Sequence, residues 1–193
     1  MLKQLLITFL AVSLFTACNF SAKKSSDNAT NQDTAQVVQE TDDRQYLVKV
    51  GDMAPDFEMA LPEGGKVKLS DLRGKVIMLQ FTASWCGVCR KEMPFIEKDI
   101  WLKYKDNPQF ALYGIDREEP ADKIQVLRDA TGVTYPIGMD LDASIFGLYA
   151  EKDAGITRNI IINRDGKIVM LTRLFEEEEF KQMVSVIDSL LTL

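Results

Sequence analysis

Residues 75–94 read KVIMLQFTASWCGVCRKEMP. The run from Val76 to Phe81 is apolar apart from Gln80, short enough and uniform enough for one buried strand. Trp85-Cys86-Gly87-Val88-Cys89 follows in a turn, and Met93, Ile96, Ile100 and Tyr104 then recur at helical spacing. The first cysteine therefore falls where a helix begins. Unpaired backbone N–H groups and the positive end of the helix dipole favour a thiolate there over a thiol. Strand, thiol pair and helix in that order describe a redox site. Pro94 removes one helical hydrogen bond and predicts a kink, while Arg90, Lys91, Glu97, Lys98 and Lys103 are read as lying off the apolar stripe.

The totals narrow the chemistry. A chain of 193 residues accommodates one ordinary domain with extensions. Its net charge of −6 argues against nucleic acid, which binds basic patches. The absence of histidine removes Ser-His-Asp and Cys-His catalysis and most zinc sites. Cys86 and Cys89 lack the further ligands a metal would need, so neither a metal nor another cofactor is expected. Cys18 is left over and needs its own account.

Residues 1–17 read as a secretion signal, with Lys3 ahead of an apolar run too short for a stable membrane span. Thr16-Ala17-Cys18 resembles a bacterial lipobox, although Phe15 stands where that pattern prefers leucine. The resemblance implies lipidation of Cys18 and attachment to a membrane through an N-terminal lipid. Asn19, not Asp, follows the cysteine; by resemblance to lipoprotein sorting signals an inner-membrane retention tag is absent. The expectation is a lipoprotein of the cell envelope facing the periplasm, on the outer membrane. Residues 18–45 are polar and poor in large apolar side chains, as in a flexible tether. The folded domain is expected over residues 46–193.

Within it, residues 51–57 form a proline-marked extended entry, residues 66–69 a short strand, and Ser70-Asp71-Leu72 a helical turn closed by Gly74. Residues 110–115 read as a second buried strand and residues 120–130 as an amphipathic helix with Gly132 past its end. Asn163-Arg-Asp-Gly166 joins two apolar runs as a hairpin. Phe180, Met183, Val184, Ile187, Leu190 and Leu191 stripe a C-terminal helix, with Glu176 to Glu179 as its solvated first turn.

This order is that of an α/β thioredoxin-like fold: a central mixed sheet flanked by helices, with an N-terminal β extension and a central insertion. The entry GDMAPDFEM, the stretch LSDLRGKVIMLQFTASWCGVCRKEMP and the later NRDGKI resemble the TlpA/ResA-like thiol–disulfide oxidoreductases. Residues 117–149 look like the insertion typical of that branch. The resemblance implies Cys86 as nucleophile and Cys89 as resolving thiol, paired as a redox-active disulfide. It implies protein thiol or disulfide substrates, net reduction, and a membrane thiol-electron donor.

Four supporting residues follow from the same resemblance. Trp85 matches a tryptophan bordering the thiols, by packing, by substrate contact or both. Glu92 matches a carboxylate that tunes the thiols, and a solvated helix residue is the competing reading. Gln80 replaces a buried strand acid of thioredoxin itself. Thr157 stands where the family has a cis proline, and a non-proline cis bond costs roughly 2.5–4 kcal/mol, so the Ile156–Thr157 bond is expected trans. Arg158 matches an arginine that activates the thiolate in peroxiredoxins, against a plain surface ion pair. A thiol peroxidase is accordingly the alternative function, although Ala83 occupies the position where that chemistry predicts Thr.

Overall fold

A computed structural model describes residues 44–192. The expected secretion signal over residues 1–17, Cys18 and residues 19–43 of the expected tether lie outside them. β1 (Glu58–Ala60) and β2 (Lys66–Lys68) pair antiparallel, joined through Gly64 and Gly65 in left-handed backbone. A 3-10 turn, Leu69–Leu72, leads to β3 (Val76–Thr82), buried along its whole length. α1 (Gly87–Ile96) widens into a π turn at Glu97–Trp101 and closes as α2 (Leu102–Tyr104). Then come β4 (Phe110–Arg117), α3 (Ala121–Thr131), β5 (Ile137–Asp140) and α4 (Phe146–Tyr149). The hairpin β6 (Arg158–Ile162) and β7 (Ile168–Arg173) precedes α5 (Glu177–Thr192).

The strands form one mixed sheet in the order β2-β1-β5-β4-β3-β6-β7. β3 lies between β4, parallel to it, and β6, antiparallel. Alternation along β3 sends Ile77, Leu79 and Phe81 to one face, against Ile160, Phe146 and Tyr149. Val76 and Met78 go to the other, against Met93, Ile96, Ile100, Met183 and Ile187. Cover on both faces explains why β3 reads as a nearly unbroken apolar run rather than an alternating one.

Pro94 lies inside α1, which passes into the π turn, where the Glu97 N–H is shared between the Met93 and Pro94 carbonyls. Two features differ from expectation. Glu97, read as off the apolar stripe, is buried, and its carboxylate accepts from the Thr134 N–H and hydroxyl at 2.9 and 2.7 Å. β5 was invisible in the insertion: four residues after Pro136 give no period, and their strand character comes from parallel pairing with β4. Gly138 lets β5 approach β1, since a Cβ there would lie 2.5 Å from Met59 Sδ.

Candidate functional site

β3 ends at Thr82, and Ala83-Ser84-Trp85 carries the chain over the sheet edge to Cys86, the N-cap of α1. Cys86 has extended backbone (φ −79°, ψ 102°), and its N–H donates to the Ala83 carbonyl at 3.0 Å. Its sulfur accepts the otherwise unpaired Cys89 N–H at 3.2 Å. This is the capping role that Ser or Asp fills elsewhere, and a thiolate would fill it better than a neutral sulfur. Cys86 and Cys89 are joined in a disulfide, with Cα atoms 5.3 Å apart. Cys86 is 6% exposed and Cys89 0%, so Cys86 is the sulfur an incoming group meets first.

Thr157 closes the site from β6's leading loop. Its hydroxyl lies 3.3 Å from both sulfurs and, because disulfide sulfurs carry no proton, is the donor. The described residues contain no cis peptide bond, so Ile156–Thr157 is trans. The Thr157 carbonyl accepts the N–H of Leu174, a residue in left-handed backbone beside β7. Trp85, next to Cys86, is 63% exposed and offers a flat apolar face beside the disulfide.

Below the disulfide the sheet carries a buried polar group. Gln80 and Asn159 are register partners on β3 and β6 and face α1. Asn159 Nδ2 donates to Glu92 Oε1 at 2.6 Å and to Thr172 Oγ1 at 2.9 Å, while Gln80 Oε1 accepts from the Tyr135 hydroxyl at 2.6 Å. Glu92 is buried, on the same side of α1 as Cys89 three residues earlier. Desolvation pushes its carboxyl up to about 7, against the lowering effect of the Asn159 and Gln80 amides. A buried group that takes and releases a proton near neutrality is suited to thiol chemistry. Asn159 gave no sequence signal, because its importance comes from cross-strand register with Gln80.

Arg158 is not a surface residue: it is fully buried. Its Nε donates to the Gly155 carbonyl at 3.0 Å and its Nη2 to the Arg44 carbonyl at 2.5 Å. Its guanidinium stacks on Tyr46 at 4.3 Å from the ring centre. These contacts tie Arg44 and Tyr46, ahead of the entry segment, to β6. Among the described residues no cluster of Cys, Asp and Glu is arranged to hold a metal, and no helix is long and apolar enough to cross a membrane.

Known proteins share this arrangement. A solution structure from Bacteroides thetaiotaomicron, named as a candidate protein disulfide isomerase, is 63% identical over 77% of this chain and 94% of its own, with a TM-score of 0.75. A crystal structure from Chlorobium tepidum, named as a candidate thiol:disulfide interchange protein DsbE, is 26% identical, covers 75% of this chain and 99% of its own, and gives a TM-score of 0.63. The thiol-disulfide oxidoreductase ResA of Bacillus thuringiensis is 30% identical over 63% of this chain and 68% of its own. The family model described as Redoxin matches residues 49–191. With a CxxC disulfide at a helix start on a thioredoxin-like sheet, the chain belongs to the Redoxin family and is a TlpA/ResA-like thiol–disulfide oxidoreductase.

Proposed function

We propose that this oxidoreductase is a membrane-tethered enzyme of the cell envelope that reduces disulfides in other proteins. Cys86 is the nucleophile and Cys89 the resolving thiol. The observation that carries the reading is the position of Cys86: N-cap of α1, sulfur bonded to the Cys89 N–H, and the more accessible member of the pair. In the reduced enzyme the Cys86 thiolate attacks a substrate disulfide, forming a mixed disulfide and expelling one substrate thiolate. Cys89, deprotonated with Glu92 as acceptor, attacks Cys86 Sγ and releases the second substrate thiol. The Cys86–Cys89 disulfide seen here is the product. Two electrons from a membrane thiol donor return it to the dithiol.

Trp85 and the loop holding Thr157 form the face that meets the substrate chain. The secretion signal, Cys18 and Asn19 support an outer-membrane lipoprotein facing the periplasm, with the polar tether holding the domain off the surface. The alternative, peroxide reduction, rested on Arg158 and the entry segment, and the Arg158 guanidinium is engaged by Gly155, Arg44 and Tyr46.

The test is Cys89→Ser expressed in an intact envelope, where Cys86 should accumulate covalent mixed disulfides with partner proteins. Recovering none would overturn the proposal. Faster turnover of peroxide than of insulin disulfide by the purified protein would favour the alternative.

A further inference from the structure

A second pair of acids holds the loop that presents the disulfide. β4 delivers Asp116 to the sheet edge, level with Thr82 of β3 and Met139 of β5. Asp116 is fully buried, and neither of its carboxyl oxygens receives a hydrogen bond from an N–H or O–H donor. An ionised carboxylate in that position would be strongly disfavoured. The carboxyl brought nearest along the chain is that of Glu119: Asp116 lies opposite Thr82, and Glu119 bonds Ser84 two residues further on, so that its charge bears on Asp116. Two carboxyl groups can hydrogen-bond only when one of them carries a proton.

Glu119 faces the active-site loop with its other bonds. One oxygen accepts the Ser84 N–H at 2.5 Å and the other the Ser84 hydroxyl at 2.7 Å. Ser84 lies two residues before Cys86, and its neighbour Ala83 accepts the Cys86 N–H. The chain turns Glu119 back towards Ser84 through Glu118, held in left-handed backbone at φ 60° by its N–H bond to the Asp140 carbonyl. A glutamate in that conformation is a strained residue, and strain of this kind gathers where geometry matters.

The other charges nearby are directed elsewhere. Arg117 lies over the Phe146 ring and pairs with Glu118. Asp140, at the end of β5, accepts the Ile145 and Phe146 N–H groups. Asp122 and Lys123 of α3 and Arg90 and Lys91 of α1 are exposed. Thr82 and Met139, the strand neighbours of Asp116, are uncharged.

We propose that Asp116 and Glu119, sharing one proton, form a positioning clamp on Ser84 that orients the Trp85–Cys86 segment, and that losing the proton loosens the clamp. Burial and the adjacent Glu119 push the Asp116 carboxyl up to about 8, which places the release within reach of a mildly alkaline medium. Below that pH the proton bridges the two acids; above it both are negative and repel.

The inference concerns the same site as the proposed function, and its first readouts involve no turnover. In the oxidised protein neither thiol can titrate. Tryptophan emission, in which Trp85 adjoins Ser84, should shift between about pH 7 and 9 in the unmutated chain. Asp116→Asn, whose amide still donates to Glu119 but cannot ionise, should lack that shift; Glu92 and Trp101 are common to both. The same transition in both proteins, or in neither, overturns the proposal. Should Asp116→Asn fail to fold, carbon-13 NMR of the unmutated chain decides: the Asp116 carboxyl must still be protonated at neutral pH, and one already ionised refutes the shared proton. For the positioning role, Ser84→Ala should lower kcat/KM for insulin reduction roughly three- to tenfold, the effect of losing one hydrogen bond, with recovery in Ser84→Thr. Unchanged kcat/KM in Ser84→Ala overturns that role.

Discussion

Replacing Glu92 by Gln should stabilise the oxidised protein, and by an amount that depends on pH. In the unfolded chain the carboxyl ionises near its ordinary value of 4.5, whereas burial in the folded chain holds it neutral to about 7. Between those values folding takes up a proton, so stability falls as pH rises through the window. Above it the whole difference is present. A shift of about 2.5 units corresponds to roughly 3 kcal/mol, an upper value for a site that can relax. Glutamine keeps an acceptor for the Asn159 amide and carries no charge to bury. Urea unfolding of the oxidised forms should therefore give nearly equal stabilities at pH 4 and an advantage to Glu92→Gln approaching roughly 3 kcal/mol at pH 8. Other titrating groups are common to both proteins and cancel. An advantage of the same size at both pH values, or one favouring the unmutated chain at pH 8, would refute the assignment of Glu92 as a buried carboxyl held neutral by desolvation. The cost in activity should run the other way, since the glutamine cannot accept the Cys89 proton.

Thr157→Val removes the hydroxyl that lies 3.3 Å from both sulfurs. Hydrogen bonds to charged groups contribute about 1.5–3 kcal/mol, so the Cys86 thiol pKa should rise by about one unit or more, read from the pH dependence of its alkylation in the reduced protein. Trp85→Ala should leave stability within about 0.5 kcal/mol, because the ring is 63% exposed, yet raise KM for a protein disulfide while leaving a small disulfide unaffected. Gly138→Ala should destabilise by about 1–3 kcal/mol, because the new methyl meets Met59 Sδ at 2.5 Å and the Ala60 carbonyl at 3.2 Å; a lowered urea midpoint checks it.

Local sequence determined the parts of this protein whose causes are local. The apolar run of β3 specifies a strand covered on both faces, and Asn163-Arg-Asp-Gly166 specifies the hairpin of β6 and β7. Trp85-Cys86-Gly87-Val88-Cys89 places a thiol pair at a helix start, because a helix's first N–H groups lack partners wherever that helix occurs. Side chains brought together from distant strands were decided by tertiary structure. Glu92 could be read as solvated until the register of β3 with β6 set Asn159 opposite it under α1. Arg158 looked like a surface cation until its guanidinium closed over Tyr46 and the Arg44 carbonyl, more than 100 residues away in sequence. β5 became a strand because β4 lay beside it. Nothing local in residues 116–119, DREE, marks Asp116 and Glu119 as a pair. A left-handed turn at Glu118 made it a clamp on Ser84. Burial and register set the charge state of a carboxyl, and both are properties of the assembled sheet rather than of any stretch of chain.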